Sequence, residues 1–177
     1  MADLVRLAAL LQEKHLIDAQ IAAVIGRPAQ IGHTGEYIAS AIFDIALEHS
    51  AVTKGRDGYF ATEPLAGRSV NIKWYAKREG LLDITPKYLP DEYLVLAGPR
   101  ATAMSSRGGH RPWLIAAVFL FDIRALVDAI QARGSQIGIA TSVPQQYWDA
   151  AEVYPVQRNA RLILSEEQRA QLALFTP

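Results

Sequence analysis

The stretch Gly55-Arg56-Asp57-Gly58-Tyr59-Phe60-Ala61-Thr62-Glu63-Pro64-Leu65-Ala66-Gly67-Arg68-Ser69-Val70-Asn71-Ile72-Lys73-Trp74-Tyr75 decides the fold. A period of two governs it, in contrast to the helical spacing upstream. Residues 59–62 read as a strand, 64–67 as a turn, and 68–75 as a second, inner strand paired antiparallel with the first. The second strand places Val70, Ile72 and Trp74 on one face, and Asn71, Lys73 and Tyr75 on the other.

Upstream, Thr34 is positioned to cap a helix running to about His49, with Tyr37, Ile38, Ala41, Ile42, Ile45 and Ala46 on its apolar side. Glu36 falls in its first turn, where a negative charge suits the helix dipole. Leu4, Leu7, Leu10 and Leu11 predict a helix over residues 3–14. Asp18 can cap a short one over 19–25, which Gly26 and Pro28 end. Downstream, 93–97 and 114–121 are apolar, β-rich runs typical of buried strands. A helix is expected over 123–133, ended by Gly134, and a strand over 136–141. Ser165-Glu166-Glu167-Gln168 has capping-box form and opens a last helix to about Leu174. The expectation is one α/β domain (an α+β sandwich) over residues 1–177, with a central mixed β-sheet flanked by helices.

The chain has 177 residues, half of them hydrophobic, enough for one full core. With no cysteine, disulfides, thiolate catalysis and cysteine-held metal are excluded. The four histidines, His15, His33, His49 and His110, lack tight metal-ligand spacing. The longest apolar run, 113–121, is too short to span a bilayer, and the N-terminus lacks the form of a signal peptide. A cytoplasmic location and no membrane partner are therefore expected. Net charge is zero, yet residues 54–111 hold ten basic and six acidic groups, a local excess of four positive charges. Such a surface attracts phosphate, although it also describes an ordinary solvated loop region.

Chemistry concentrates between Glu36 and Lys73. Asp57 stands just before a hairpin, a helix delivers Glu36, and one strand face presents Asn71 and Lys73. Hard oxygen ligands suit Mg²⁺ or Mn²⁺, and a nearby lysine suits a developing charge. Each residue also has a plain alternative: a dipole-favoured surface acid, an Asp-Gly turn, a solvated strand lysine.

In this order and on these elements, Glu36, Asp57 and Asn71-Ile72-Lys73 resemble the PD-(D/E)xK, or restriction-endonuclease-like, nuclease superfamily over roughly residues 30–125. The resemblance implies a Mg²⁺-dependent DNA endonuclease, a hydrolase of a restriction or defence setting. Asp57, Glu36 and Asn71 would hold the metal, and Lys73 would assist the attacking water. The chain departs from the family at Asn71, where Asp or Glu is usual. Phe60 stands where some related hairpins carry an acid, which Asp57, Glu63 or Asp83 would then replace. The alternative is a catalytically inactive nucleic-acid-binding or protein-interaction module on the same fold.

The expected nucleic-acid contacts are Arg56, Lys77, Arg78, Arg107 and Arg111, probing DNA before RNA. A homodimer is left open. Residues 18–42 resemble a helix-turn-helix that would offer residues 34–40 to a major groove. Trp74 and Tyr75 suit either base stacking or, for Trp74, the core. The 105–111 segment offers backbone N–H groups to phosphate, or is a hairpin tip.

Overall fold

Asp44 ends the first helix of the body and starts its sheet. It adopts the left-handed conformation (φ 52°) directly after the helix and donates its N–H to Ser40 O. The next residues, Ile45–Leu47, form β1 instead of continuing the helix. Ile45 pairs with Phe60 and enters the core, so strand pairing prevails over the helical spacing of Ile42, Ile45 and Ala46. The helix expected to reach His49 therefore stops at Phe43, and His49 lies outside the described residues. In the computed structural model the described residues are 2–48, 55–100 and 111–176.

The elements run α1 (Ala2–Ile25), α2 (Ile31–Phe43), β1 (Ile45–Leu47), β2 (Gly58–Phe60), β3 (Ser69–Tyr75), β4 (Leu81–Leu82) and β5 (Glu92–Ala97). There follow β6 (Ala117–Asp122), α3 (Ile123–Ala132), β7 (Thr141–Ser142), α4 (Gln145–Ala151), β8 (Glu152–Tyr154) and α5 (Glu166–Ala173). The fold is α+β, with a six-stranded mixed sheet in the order β1-β2-β3-β5-β6-β8. The pair β3 and β5 is parallel and its neighbours are antiparallel. As expected, β3 is an inner strand, antiparallel to β2, with α2 packed beside it. β4 and β7 form a separate two-stranded ribbon.

The pleat separates two cores. Val70, Ile72, Trp74, Leu94 and Leu96 face α2 and α5 through Ile38, Ile42 and Leu172. Tyr93, Val95, Phe119 and Phe121 face α3 and α4 through Leu126, Val127 and Trp148. Trp148 stands edge-on to Phe119 and Phe121 at 4.9 and 5.1 Å. Trp74 is buried, and its Nε1 donates to Leu114 O at 3.2 Å, so it is a core residue and not a stacking platform. Gly35 lets α2 lie close on β3, since a Cβ there would sit 3.1 Å from Trp74 Cβ.

Several local expectations are corrected. Residues 3–14 and 19–25 belong to one helix, α1, in which Asp18 is bonded to Lys14 and caps nothing. Helix α2 starts at Ile31 after Gln30, so Thr34 lies inside it. The helix-turn-helix expected over residues 18–42 is two helices about a break at 26–30, but its first helix is the end of the long α1, and α2 buries Gly35, Ile38 and Ala39 while leaving Tyr37 exposed. Residues 136–141 supply only the start of β7, while α4, β8 and β4 are elements that no sequence pattern announced. At the C-terminal end Ser165 does cap α5 through a complete capping box with Gln168.

Candidate active site

Strand β2 is short, and its pairing with β3 ends at Gly58↔Val70. Asp57 continues the contact by other means. Its N–H donates to Val70 O at 2.8 Å, and its Oδ2 accepts from Ile72 N at 2.6 Å. The carboxylate thus caps the edge of β3 where a strand partner is missing. On its other side Gly58 lets β2 lie close to β1, because a Cβ there would fall 2.4 Å from Ala46 O. Burial pushes the Asp57 carboxyl above its ordinary pKa. The Ile72 N–H opposes the rise, Glu36 adds to it, and Lys73 and Arg27 act against it.

Asn71 and Lys73 share the face of β3 opposite α2, as alternation requires. Asn71 aligns with Tyr93 and Lys73 with Val95 across the parallel pair. The Lys73 ammonium lies 4.8 Å from the centre of the Tyr93 ring. Burial lowers its pKa, with Asp83 and then Asp57 opposing that shift. Burial raises the pKa of Tyr93, against the backbone of Thr85 and with added repulsion from Asp57 and Asp83. Tyr75, on the same face, is pushed far upward, again chiefly by burial. Its hydroxyl accepts from Asp83 N at 3.0 Å, while Asp83 Oδ1 accepts from Ala140 N at 2.8 Å. A cleft of about 190 Å³, lined in part by Tyr75, Lys77, Asp83 and Trp148, opens beside this group. The Oδ1 of Asn71 is buried and has no hydrogen-bond partner.

Glu36 lies on α2, hence on the other side of the sheet from the Asn71–Lys73 face. It is ion-paired with Arg27, and its charge still reaches Asp57. The structure therefore brings Asp57, Lys73 and Asn71 to one stretch of β3, with Glu36 approaching Asp57 from behind. Sequence reasoning missed Tyr93 and Arg27. Tyr93 was hidden in an apolar strand run, and Arg27 in a Gly-Pro loop. Asp83 was noted only as a substitute acid, and it proves to be the first counter-charge of Lys73.

Of the expected nucleic-acid contacts, Lys77 and Arg78 line one cleft. Arg56 donates to Glu48 at 3.0 Å and lies over Tyr59, and Lys77 donates to Glu79 at 2.6 Å. Arg78 sits 5.3 Å from the centre of the Phe119 ring. Arg111 is exposed, and Arg107, with most of the 105–111 segment, lies outside the described residues.

The donor set of Asp57, Glu36 and Asn71 consists of hard oxygens and fits Mg²⁺ or Mn²⁺ in chemical type. The unpartnered Asn71 carbonyl beside the Asp57 anchor on Ile72 is the structural feature that suits a cation. Among the described residues no group of three His, Cys, Asp or Glu side chains is placed to hold a metal. With Glu36 on the far side of the sheet and paired with Arg27, a cation on the Asn71 face would have the Asp57 carboxylate and the Asn71 amide oxygen as its protein ligands. Among the described residues, no helix is long and apolar enough to cross a membrane. No protein-family model and no characterised protein sequence matches this chain.

Proposed function

We propose that the chain is a metal-dependent phosphodiesterase of restriction-endonuclease-like type, acting on nucleic acid and on DNA first. The observation that carries this reading is the placement along one stretch of β3 of a half-buried carboxylate, Asp57, held by Ile72 N–H and pushed up in pKa by desolvation, and a half-buried ammonium, Lys73, pushed down by the same cause. Opposed shifts of this kind concentrate at sites that do chemistry.

Asp57 and Asn71 would hold the ion, and Glu36, behind the sheet and paired with Arg27, would act on it only through its charge at Asp57. Bound there, Mg²⁺ or Mn²⁺ supplies Lewis acidity toward a phosphate oxygen and acidifies a water. Lys73, partly desolvated and stacked on Tyr93, orients the attacking water and stabilises charge on the phosphate. Its lowered pKa also increases the neutral fraction able to take a proton. Tyr93 and Asp83 fix the lysine on its strand face.

A second reading draws on the same contacts. Asp57 is occupied by Ile72 N–H and Glu36 by Arg27, as expected of a non-catalytic binding module whose acids merely brace the sheet edge. Cleavage of plasmid DNA and of RNA in Mg²⁺ and Mn²⁺, compared with Lys73→Met and Asn71→Glu, separates the two. An enzyme loses cleavage with Lys73→Met and binds Mn²⁺ more tightly with Asn71→Glu. If neither the native chain nor Asn71→Glu cuts or binds Mn²⁺, the enzyme reading is abandoned and only the fold stands.

A further inference from the structure

Helix α1 has 24 residues, about 36 Å at the helical rise, and no buried side chain. Leu4, Leu7, Leu10, Leu11, Ile17 and Val24 remain 45–71 % exposed, and Val5 and Leu16, on the opposite side of the helix, are exposed as well. Its half-buried positions, Asp18, Ile21, Ala22 and Ile25, fall in the last two turns, where α1 meets α2. Helices in water draw most of their stability from covering an apolar face, and this one is left bare over its first four turns.

The pattern of that face specifies its cover. Leu4, Leu7, Leu11, Lys14, Asp18, Ile21 and Ile25 follow alternating steps of three and four residues, the seam spacing of a two-helix coiled coil. The seam is self-complementary when reversed about a point near residue 16. Leu7 then meets Ile25 of the second copy, Leu11 meets Ile21, and Lys14 meets Asp18, with Ile21 and Ile25 offering only the part of their surface that α2 leaves open. On one flank Leu10 meets Val24 and Ile17 meets its own copy. On the other, Ala8 and Ala22 are small enough for close approach. Lys14 and Asp18 now pair within one chain at 2.5 Å, with Lys14 62 % exposed and free to exchange partners. A parallel pairing would set lysine against lysine and aspartate against aspartate.

We propose that α1 is a self-association element, covered by the α1 of a second copy of this chain in antiparallel register. The inference is independent of the nuclease reading.

Sedimentation of the full chain at micromolar concentration should give twice the monomer mass of 19.4 kDa. Leu11→Glu should give a monomer with an unchanged circular dichroism melt of the body, since Leu11 lies outside both cores. Lys14→Glu alone, and Asp18→Lys alone, should each weaken self-association about tenfold or more, and mixing the two variants should restore it. Because the chain has no cysteine, single cysteines report the register. Ile17→Cys, beside the dyad, should cross-link to its copy on oxidation. Leu7→Cys should not, its two copies lying about 27 Å apart. A native chain that stays monomeric, a Leu11→Glu variant that still dimerises, or efficient cross-linking by Leu7→Cys alone would each overturn the proposal.

Discussion

Replacing Asn71 with leucine, which nearly matches its shape, tests whether the residue is held for function and not for stability. Its Oδ1 is buried and accepts no hydrogen bond. An acceptor orphaned in this way costs about 1–3 kcal/mol. Leucine removes that cost and forfeits about 1 kcal/mol at most for any hydrogen bond from the amide Nδ2. The net expectation is a gain of about 1 kcal/mol, or a Tm higher by about 2–4 °C for a chain of this size. Urea unfolding with an unchanged slope and a raised midpoint would show it. The same variant should lose any stabilisation by added Mn²⁺, because the carbonyl proposed as a ligand of the cation is gone. A site residue behaves in this way, adding strain to the free protein that a ligand relieves. A Leu variant less stable than the native chain by about 1 kcal/mol or more would refute the argument, since the oxygen would then have a compensated role in the native fold.

Three further outcomes follow from the same contacts. The folded chain holds the Asp57 proton more tightly than the unfolded chain does. The contribution of Asp57 is thus complete below its unfolded pKa and is lost as pH rises through the folded one. Asp57→Asn should therefore stabilise the protein near neutral pH and lose that advantage in acid; urea melts of both chains giving a pH-independent difference would count against it. Glu92 is fully buried among Arg68 at 2.6 Å and a two-pronged contact with Arg161, and Glu92→Ala should cost about 3 kcal/mol. That is the low end for a broken buried pair, because both arginines are more than a third exposed and can rehydrate; an unchanged urea midpoint would contradict it. Ser165→Ala removes the cap of α5 and should lower stability by about 1 kcal/mol in thermal unfolding, with Gln168 still tied to Ile42 O at 2.8 Å.

The sequence by itself determined the features that depend on neighbours a few residues apart. Alternation announced β3 and its two faces, the apolar runs announced β5 and β6, and Ser165 with Gln168 announced α5. Each rests on a period or a cap that a short segment carries alone. By the same rule Asn71 and Lys73 had to share a face. Tertiary structure decided the rest. Ile45 left its helix because Phe60, fifteen residues on, offered a strand partner. Tyr93 and Asp83 came to Lys73 through the parallel crossover from β3 to β5, which no local pattern encodes. The side of the sheet that α2 covers was settled in the same way, setting Glu36 behind Asp57 and away from the Asn71–Lys73 face. Which face of a strand is covered depends on the path of the chain between strands, and long-range packing fixes that path where local propensities are nearly balanced.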